Sequence, residues 1–303
     1  MDAARLLHAL EAVYYRQIGR DSSKYNETEN ATADNDANVR TRVLGNFTVL
    51  PLELLFEIFD LLPLNDLLTL LSINKTIRGT IQARPEFKRM LKGSLNPIAT
   101  VLKSEMGRHI NIGDIPRLMQ RRDCEICKSR FGPFLFLPTF TRCCYICFQT
   151  DNDFEVTTIT GATRMRRVSR AALLRRVPAV MTIPGNYGLS QTLYVQHLYL
   201  VSVKQIEKFF DRRPDGPGRI DDLIPGMRML AATALPYYNT VTRAFERGVL
   251  CKGCELAKVP GRERTLLLSN QGLMGHFESC PHAEKMWKRE QERRGIYPGA
   301  EEA

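Results

Sequence analysis

Two stretches of the chain carry side chains at metal-binding spacing. The first runs from "CEIC" (124–127) to "CCYIC" (143–147). Cys124 and Cys127 form one C-x2-C pair and Cys144 and Cys147 a second, with sixteen residues between the pairs. A C-x2-C turn lets two sulfurs approach one ion at about 2.3 Å, so four of them predict a tetrahedral zinc site. In the second stretch, Cys251 and Cys254 repeat the pair and His276 and Cys280 follow in "HFESC". Residues four apart share one face of a helix. The pattern C-x2-C-x21-H-x3-C therefore predicts three thiolates and one imidazole on a second ion. Four protein donors leave no open coordination position, so two structural Zn2+ ions are expected.

Three choices stay open at this point. Cys144 is selected by its C-x2-C spacing and leaves Cys143 spare, but a C-x3-C loop would use Cys143 instead. His282, two residues beyond Cys280, rivals it as a ligand. The pairs also permit crossing, with Cys124 and Cys127 sharing an ion with Cys251 and Cys254. Other chemistry is not indicated. The chain has no phosphate-cradling glycine loop, no G-x-S-x-G, no H-E-x-x-H and no usefully spaced carboxylate pair. It is not expected to be an enzyme.

These residues need elements to position them. The interval "KSRFGPFLFLPTFTRC" is rich in Phe and Leu and predicts two short strands pinned at their base. "TLYVQHLYLVSV" (192–203) reads as one buried strand, with His197 a satisfied core residue. "VKQIEKFFD" reads as a helix with Val203, Ile206, Phe209 and Phe210 on one face. "RRPDGPGR" (212–219) is a loop by its Pro and Gly, and "AEKMWKREQERRG" a charged terminal helix.

A leucine-dense segment lies upstream, "VLPLELLFEIFDLLPLNDLLTLLSINKTIRGTI" (49–81). Pro51 suits the first turn of a helix, where its missing N–H is unneeded. Pro63 interrupts the pattern, and Asn65 and Asn74 suit the caps of a second and a third helix. In the first helix Glu53, Glu57 and Asp60 make one polar strip, and apolar residues surround the rest. A surface helix needs only one apolar stripe. An apolar face beyond that points to cover by another protein.

The run Leu50-Pro51-x-Glu53, Ile58, Leu62-Pro63, Asp66-Leu67-Leu68 and Ile73-Asn74 resembles an F-box. That module has three helices and docks on the Skp adaptor of SCF (Skp–cullin–F-box) ubiquitin ligases. The resemblance implies that Leu50, Pro51, Ile58, Leu62, Leu64, Leu67 and Leu68 face the adaptor or support that face. Many F-boxes carry an aromatic in the third helix, where this chain has Ile77-Arg78-Gly79. The wider layout is similar to a class of fungal F-box proteins with cysteine-rich C-terminal regions. Pro184-Gly185-Asn186-Tyr187-Gly188, Cys251-Lys252-Gly253-Cys254-Glu255, His276-Phe277, Cys280 and Trp287 carry that likeness. It implies a substrate receptor that joins an unknown protein target to the adaptor and, through it, to the cullin.

Charge gives the other reading. The formal net charge is +10, although residues 43–74 hold four acids and no base. "TRMRRVSRAALLRRVP" (163–178) holds Arg164, Arg166, Arg167, Arg170, Arg175 and Arg176 without an acid. Ser169 suits a helix cap there, with Leu173, Leu174 and Val177 facing inward. The run is compatible with a zinc-dependent nucleic-acid-binding regulator, the alternative to a receptor. No apolar run is long enough for a membrane span, and no secretory signal is visible, so a cytoplasmic or nuclear location is expected.

The expected fold class is α+β. Residues 1–20 read as an amphipathic helix, 21–42 as a disordered linker and 43–90 as the three-helix module. A helical connector (91–120) then leads to a zinc-stapled mixed α/β recognition region (121–290) and a flexible tail (291–303).

Overall fold

The computed structural model describes residues 50–73, 75–83, 93, 96–187, 192–210, 227–258 and 266–294. The helix expected over 1–20, the linker over 21–42, the Asn74 cap and the loop over 212–219 lie outside the described residues. Helices mix with small sheets, as an α+β chain requires, and the cysteine clusters lie toward the C-terminus. The chain divides into two compact units. The first takes residues up to 120, 136–141 and 152–233; the second takes 121–135, 142–151 and 234–303. The contiguous 121–290 region drawn from the sequence is thus shared between them.

The first unit opens with three helices. Pro51 precedes α1 (Leu52–Leu61), and its carbonyl accepts from Leu55 N–H at 3.2 Å. Leu55 and Phe59, one turn apart, are the buried residues of α1. In α2 (Leu64–Ile73), Leu64, Leu67, Leu68 and Leu71 are buried at the i, i+3, i+4, i+7 spacing of one helical face. In α3 (Lys75–Ala83), Ile77 and Ile81 complete that core.

Asn65 does not cap α2, because the helix already includes it and starts at Leu64. Tertiary pairing sets the start instead. Leu64 N–H donates to Ile110 O at 2.9 Å, and Pro63 bridges Asn111. Ile112 N–H donates to Leu62 O and Gly113 N–H to Asp60 O. The connector therefore folds back onto the helices. It comprises a helix over 96–103, a 3-10 turn at Met106–Arg108 and α4 (Asp114–Gln120).

Next come β1 (Phe134–Phe136) and β2 (Thr141–Cys143), the two short strands expected between the cysteine pairs, then α5 (Tyr145–Thr150). The chain continues through β3 (Val156–Thr158), α6 (Ile159–Arg166), α7 (Arg170–Leu174) and β4 (Val180–Met181). After β5 (Gly185–Tyr187) and β6 (Thr192–Tyr194) come β7 (Tyr199–Ser202) and α8 (Val203–Phe209). The antiparallel sheet β3-β7-β4 and helices α6, α7 and α8 enclose a second core of Ile159, Ala162, Leu173, Val177, Val201 and Ile206.

Four local readings are corrected. The strand expected over 192–203 is broken, because β6 pairs β5 in its own hairpin and only β7 enters the core. Between them His197 is exposed, with its Nδ1 3.0 Å from Thr182 O, so it is partnered but not in the core. In α8, Val203 and Ile206 are buried, but Phe209 is 39% exposed and Phe210 lies past the helix end. Ser169 does cap α7, accepting from Ala172 N–H at 3.2 Å, yet Leu174 is exposed because the helix stops after five residues.

The second unit adds the end of β8 (Ala232–Ala234), then β9 (Tyr237–Asn239) and β10 (Ala244–Glu246), which pair antiparallel. It ends in α9 (Lys252–Leu256), α10 (Asn270–Ser279) and α11 (Pro281–Arg293). α11 is the charged terminal helix expected, and it reaches into the segment read as a tail. Gly248 has φ +84° and lies so close to Phe131 that a Cβ there would sit 2.9 Å from its ring.

Candidate metal centres and partner face

Both cysteine clusters belong to the second unit. In the first, Cys124 and Cys127 form a tight turn. Cys124 N–H donates to Arg130 O and Lys128 N–H to Cys124 O, each at 2.8 Å, with Lys128 in the left-handed region at φ 54°. Cys144 caps α5 and Cys147 lies in its first turn, its N–H 3.5 Å from Cys144 Sγ. Glu125 joins the halves. Its N–H donates to Arg142 O at 2.9 Å, and its Oε1 accepts from Arg142 N–H at 3.0 Å.

The Sγ atoms of Cys124, Cys127, Cys144 and Cys147 all lie within 4.8 Å of one another. Cys127 Sγ is 3.9 Å from Cys144 Sγ. Tetrahedral ligands at about 2.3 Å from zinc stand about 3.8 Å apart, so the spacing fits. The thiols also oppose joint ionisation. Hydrogen bonding between Cys124 and Cys144 pulls Cys124 down to about 4 and pushes Cys144 up. Burial pushes Cys147 up to about 11. At Cys127 burial also raises the pKa, but hydrogen bonds from Ser129 and Arg130 outweigh it and leave the thiol lowered. Sulfurs this close carry full charge only around a cation.

Cys143 stays outside the group. It is fully buried, and burial raises its pKa and keeps it a thiol.

The second cluster repeats the plan. Cys251 precedes α9 and Cys254 lies within it. His276 is on α10, and Cys280 caps α11, accepting from Ala283 N–H at 3.4 Å. A bridge between Val249 and Leu268 closes the base of the interval. Cys254 Sγ is 3.4 Å from both His276 Nε2 and Cys280 Sγ, and Cys251 Sγ is 4.0 Å from Cys280 Sγ. The four donor atoms again lie within 4.8 Å of one another. Burial pushes Cys254 up to about 12. At Cys280 burial likewise raises the pKa, but the Ala283 N–H leads the hydrogen bonds that leave it lowered. His282 is exposed and is not in the group. The pairs do not cross. One group has four cysteines, the other three cysteines and a histidine, and each could hold a metal ion.

One residue of these centres carried no sequence signal. Arg142, next to Cys143 in β2, has no exposed surface. Its guanidinium donates to the carbonyls of Gly132, Leu235 and Pro236. Burial lowers its pKa to about 10, well above neutrality. Nothing in a local pattern separates a buried arginine from a solvated one.

The candidate partner residues divide by burial. Leu64, Leu67 and Leu68 are core, so they can only support the face. Pro51 and Ile58 are exposed, while Leu50 and Leu62 are half-buried. Leu52, Leu54 and Leu61, apolar residues of the first helix outside the set that the resemblance implies, are 44%, 45% and 68% exposed on α1. With Ile58, four apolar side chains of that ten-residue helix thus face solvent.

In the arginine-rich run, Arg164, Arg167, Arg170, Arg175 and Arg176 are exposed and Arg166 is half-buried. No helix of the described residues is long and apolar enough to cross a membrane.

Residues 47–89 match the family model of the F-box domain. No curated protein and no solved structure matches the chain.

Proposed function

We propose that the chain is the substrate-receptor subunit of an SCF-type ubiquitin ligase. It binds the Skp adaptor through residues 49–81 and, through it, the cullin. One observation carries the reading. Within the segment that matches the F-box, α1 holds Leu52, Leu54, Ile58 and Leu61 in solvent, while Leu55 and Phe59 are its buried side chains. Apolar surface of that extent on a small helical unit marks an interaction site. Pro51, Leu50 and Leu62 border it, and buried Leu64, Leu67 and Leu68 hold its base.

Each four-donor group holds one structural Zn2+ in this reading. The ions staple the second unit, which presents part of the target-binding surface. Closed sites supply no reactive position, and ubiquitin transfer belongs to the other subunits. The receptor works in the cytoplasm or nucleus.

Co-expression with Skp homologues tests the reading. The unmodified chain forms a stoichiometric complex that survives high salt, because apolar contacts hold it. Leu54→Asp with Ile58→Asp abolishes the complex. A folded, zinc-loaded chain that retains no Skp homologue overturns the reading.

A further inference from the structure

The adaptor face and the metal centres leave the arginine-rich run unused. Arg166, at the end of α6, and Arg175 and Arg176, just past α7, line one open cavity of about 590 Å3 in the first unit. Val168, Phe209 and Phe210 supply apolar wall, and among the described residues no acidic side chain lines it. Arg166 Nε is buried and has no hydrogen-bond partner among the described residues. The side chains of Arg175 and Arg176 likewise make no ion pair among the described residues. Arg170, from the same run, is engaged elsewhere, over the Tyr199 ring at 5.6 Å.

Three arginines lining one cavity, with no carboxylate among the described residues, gather like charge there, and a buried Nε without an acceptor is destabilising. A dianion placed among them relieves both. A phosphate ester carries about −1.5 to −2 at neutral pH and offers three acceptor oxygens, more than a single carboxylate supplies. Guanidinium geometry suits those oxygens. The cavity volume falls in the range of ligand clefts, about 300–1,000 Å3. Phe209 and Phe210 add a surface that an anion alone does not need. A nucleic-acid strand presents phosphates in a row and calls for an extended basic track with stacking platforms, whereas these three cations share one cavity.

We propose that this cavity binds a phosphorylated side chain of a partner protein. The phosphate accepts from Arg166, Arg175 and Arg176, and an adjoining apolar residue packs on Phe209 and Phe210. As the target class of the receptor, the proposal rests on the adaptor reading above; the binding event itself needs no adaptor.

The test uses the full zinc-loaded chain and oriented peptide libraries carrying phosphoserine, phosphothreonine or phosphotyrosine beside a fixed Leu or Phe. Fluorescence polarisation then compares selected peptides with their unphosphorylated forms. Phosphorylation tightens binding about tenfold or more, and Arg175→Ala with Arg176→Ala weakens it about ten- to a hundredfold. Both positions are exposed, so the double variant melts at the wild-type temperature and keeps its adaptor. Arg170→Ala binds as wild type does. Three outcomes overturn the proposal: no phosphopeptide enriched, an oligonucleotide bound more tightly than any peptide, or inorganic phosphate bound as tightly as the peptides. Phosphopeptide binding by a chain that takes no adaptor supports the cavity and removes the receptor reading alone.

Discussion

Cys127 Sγ lies 3.9 Å from Cys144 Sγ, with sixteen residues between them in the chain. The strands β1 and β2 bring the second pair back to the first, and the Glu125–Arg142 backbone contacts fix the approach. Cys143 is one residue from this meeting point and takes no part in it. Adjacent cysteines therefore have opposite expected phenotypes. Cys144→Ser lowers the zinc content by one ion per chain and loosens the second unit. Structural zinc in small modules contributes about 10–16 kcal/mol of apparent binding energy at pH 7. Cys143→Ala keeps both ions; alanine is the right probe because a serine hydroxyl buried there costs about 1–3 kcal/mol by itself. Elemental analysis of the two variants decides, and the reverse pattern would make Cys143 the ligand.

Acid competes with the metal at the same sulfurs. The folded pKa of Cys124 is lowered, to about 4, by its hydrogen bond with Cys144. A lowered thiol contributes stability that is complete above its unfolded value, about 8.5. That contribution falls as the pH drops, but the raised pKa of Cys144 in the same hydrogen bond offsets it, so the metal and not the free thiols carries the pH dependence. Metal binding replaces the protons the sulfurs otherwise share. Zinc is therefore expected to stay bound at neutral pH and to leave on acidification. A chelating dye read across a pH titration checks this, and zinc release that rises with pH between 5 and 8 refutes it.

Folding and docking separate within the F-box segment. Leu68 is 1% exposed, so Leu68→Ala opens a cavity and costs about 2–5 kcal/mol, seen as a lower melting temperature. Leu54 and Ile58 are 45% and 38% exposed. Leu54→Asp and Ile58→Asp leave the melting temperature near wild type while adaptor binding is lost. Equal destabilisation by the two kinds of change would place α1 against a cover within the chain itself.

The second centre depends on a close backbone approach. A Cβ at Gly253 would sit 2.6 Å from Ala283 N and from His282 C and O, at the start of α11. No side chain gives way there, because the obstacle is main chain. Gly253→Ala pushes α9 off α11, separates Cys254 from Cys280 and releases one zinc. Gly275, on α10, has nothing within 4 Å of its Cβ position. Gly275→Ala keeps both ions and stabilises the helix by up to about 1 kcal/mol. His282→Ala keeps both ions as well, whereas His276→Ala loses one.

The legible features were those encoded by short-range spacing. The C-x2-C pairs, the Ser169 cap, the two strands between the first cysteine pairs and the terminal helix each follow from residues a few positions apart. The losses came where distant chain decides. Asn65 has the right chemistry for a cap, but pairing with the backbone at Ile110 starts α2 at Leu64, two residues before an Asn65 cap would place it. The apolar run over 192–203 has uniform composition, and only its pairing partners split it into β6 and β7. Exposure on α1 was readable as an excess of apolar residues, but not which of them the core would take.

Arg142 is the plainest case of a role set by distant chain, and it yields the last prediction. Its guanidinium occupies a site with no exposure and satisfies three carbonyls, two of them about ninety residues downstream at Leu235 and Pro236. Removing it leaves those acceptors buried and unpaired. Arg142→Met fills most of the volume and supplies no donor, so the cost is about 1–3 kcal/mol for each carbonyl left buried and unpaired. Arg142→Lys restores charge but not the planar fork, and recovers only part of that loss. The Glu125 contacts use Arg142 backbone, not its side chain. Both variants are therefore expected to bind two zinc ions in native buffer while unfolding at lower denaturant. Urea titration with parallel zinc analysis measures the two effects. A midpoint unchanged in Arg142→Met would mean that water satisfies the three carbonyls and that the guanidinium is dispensable.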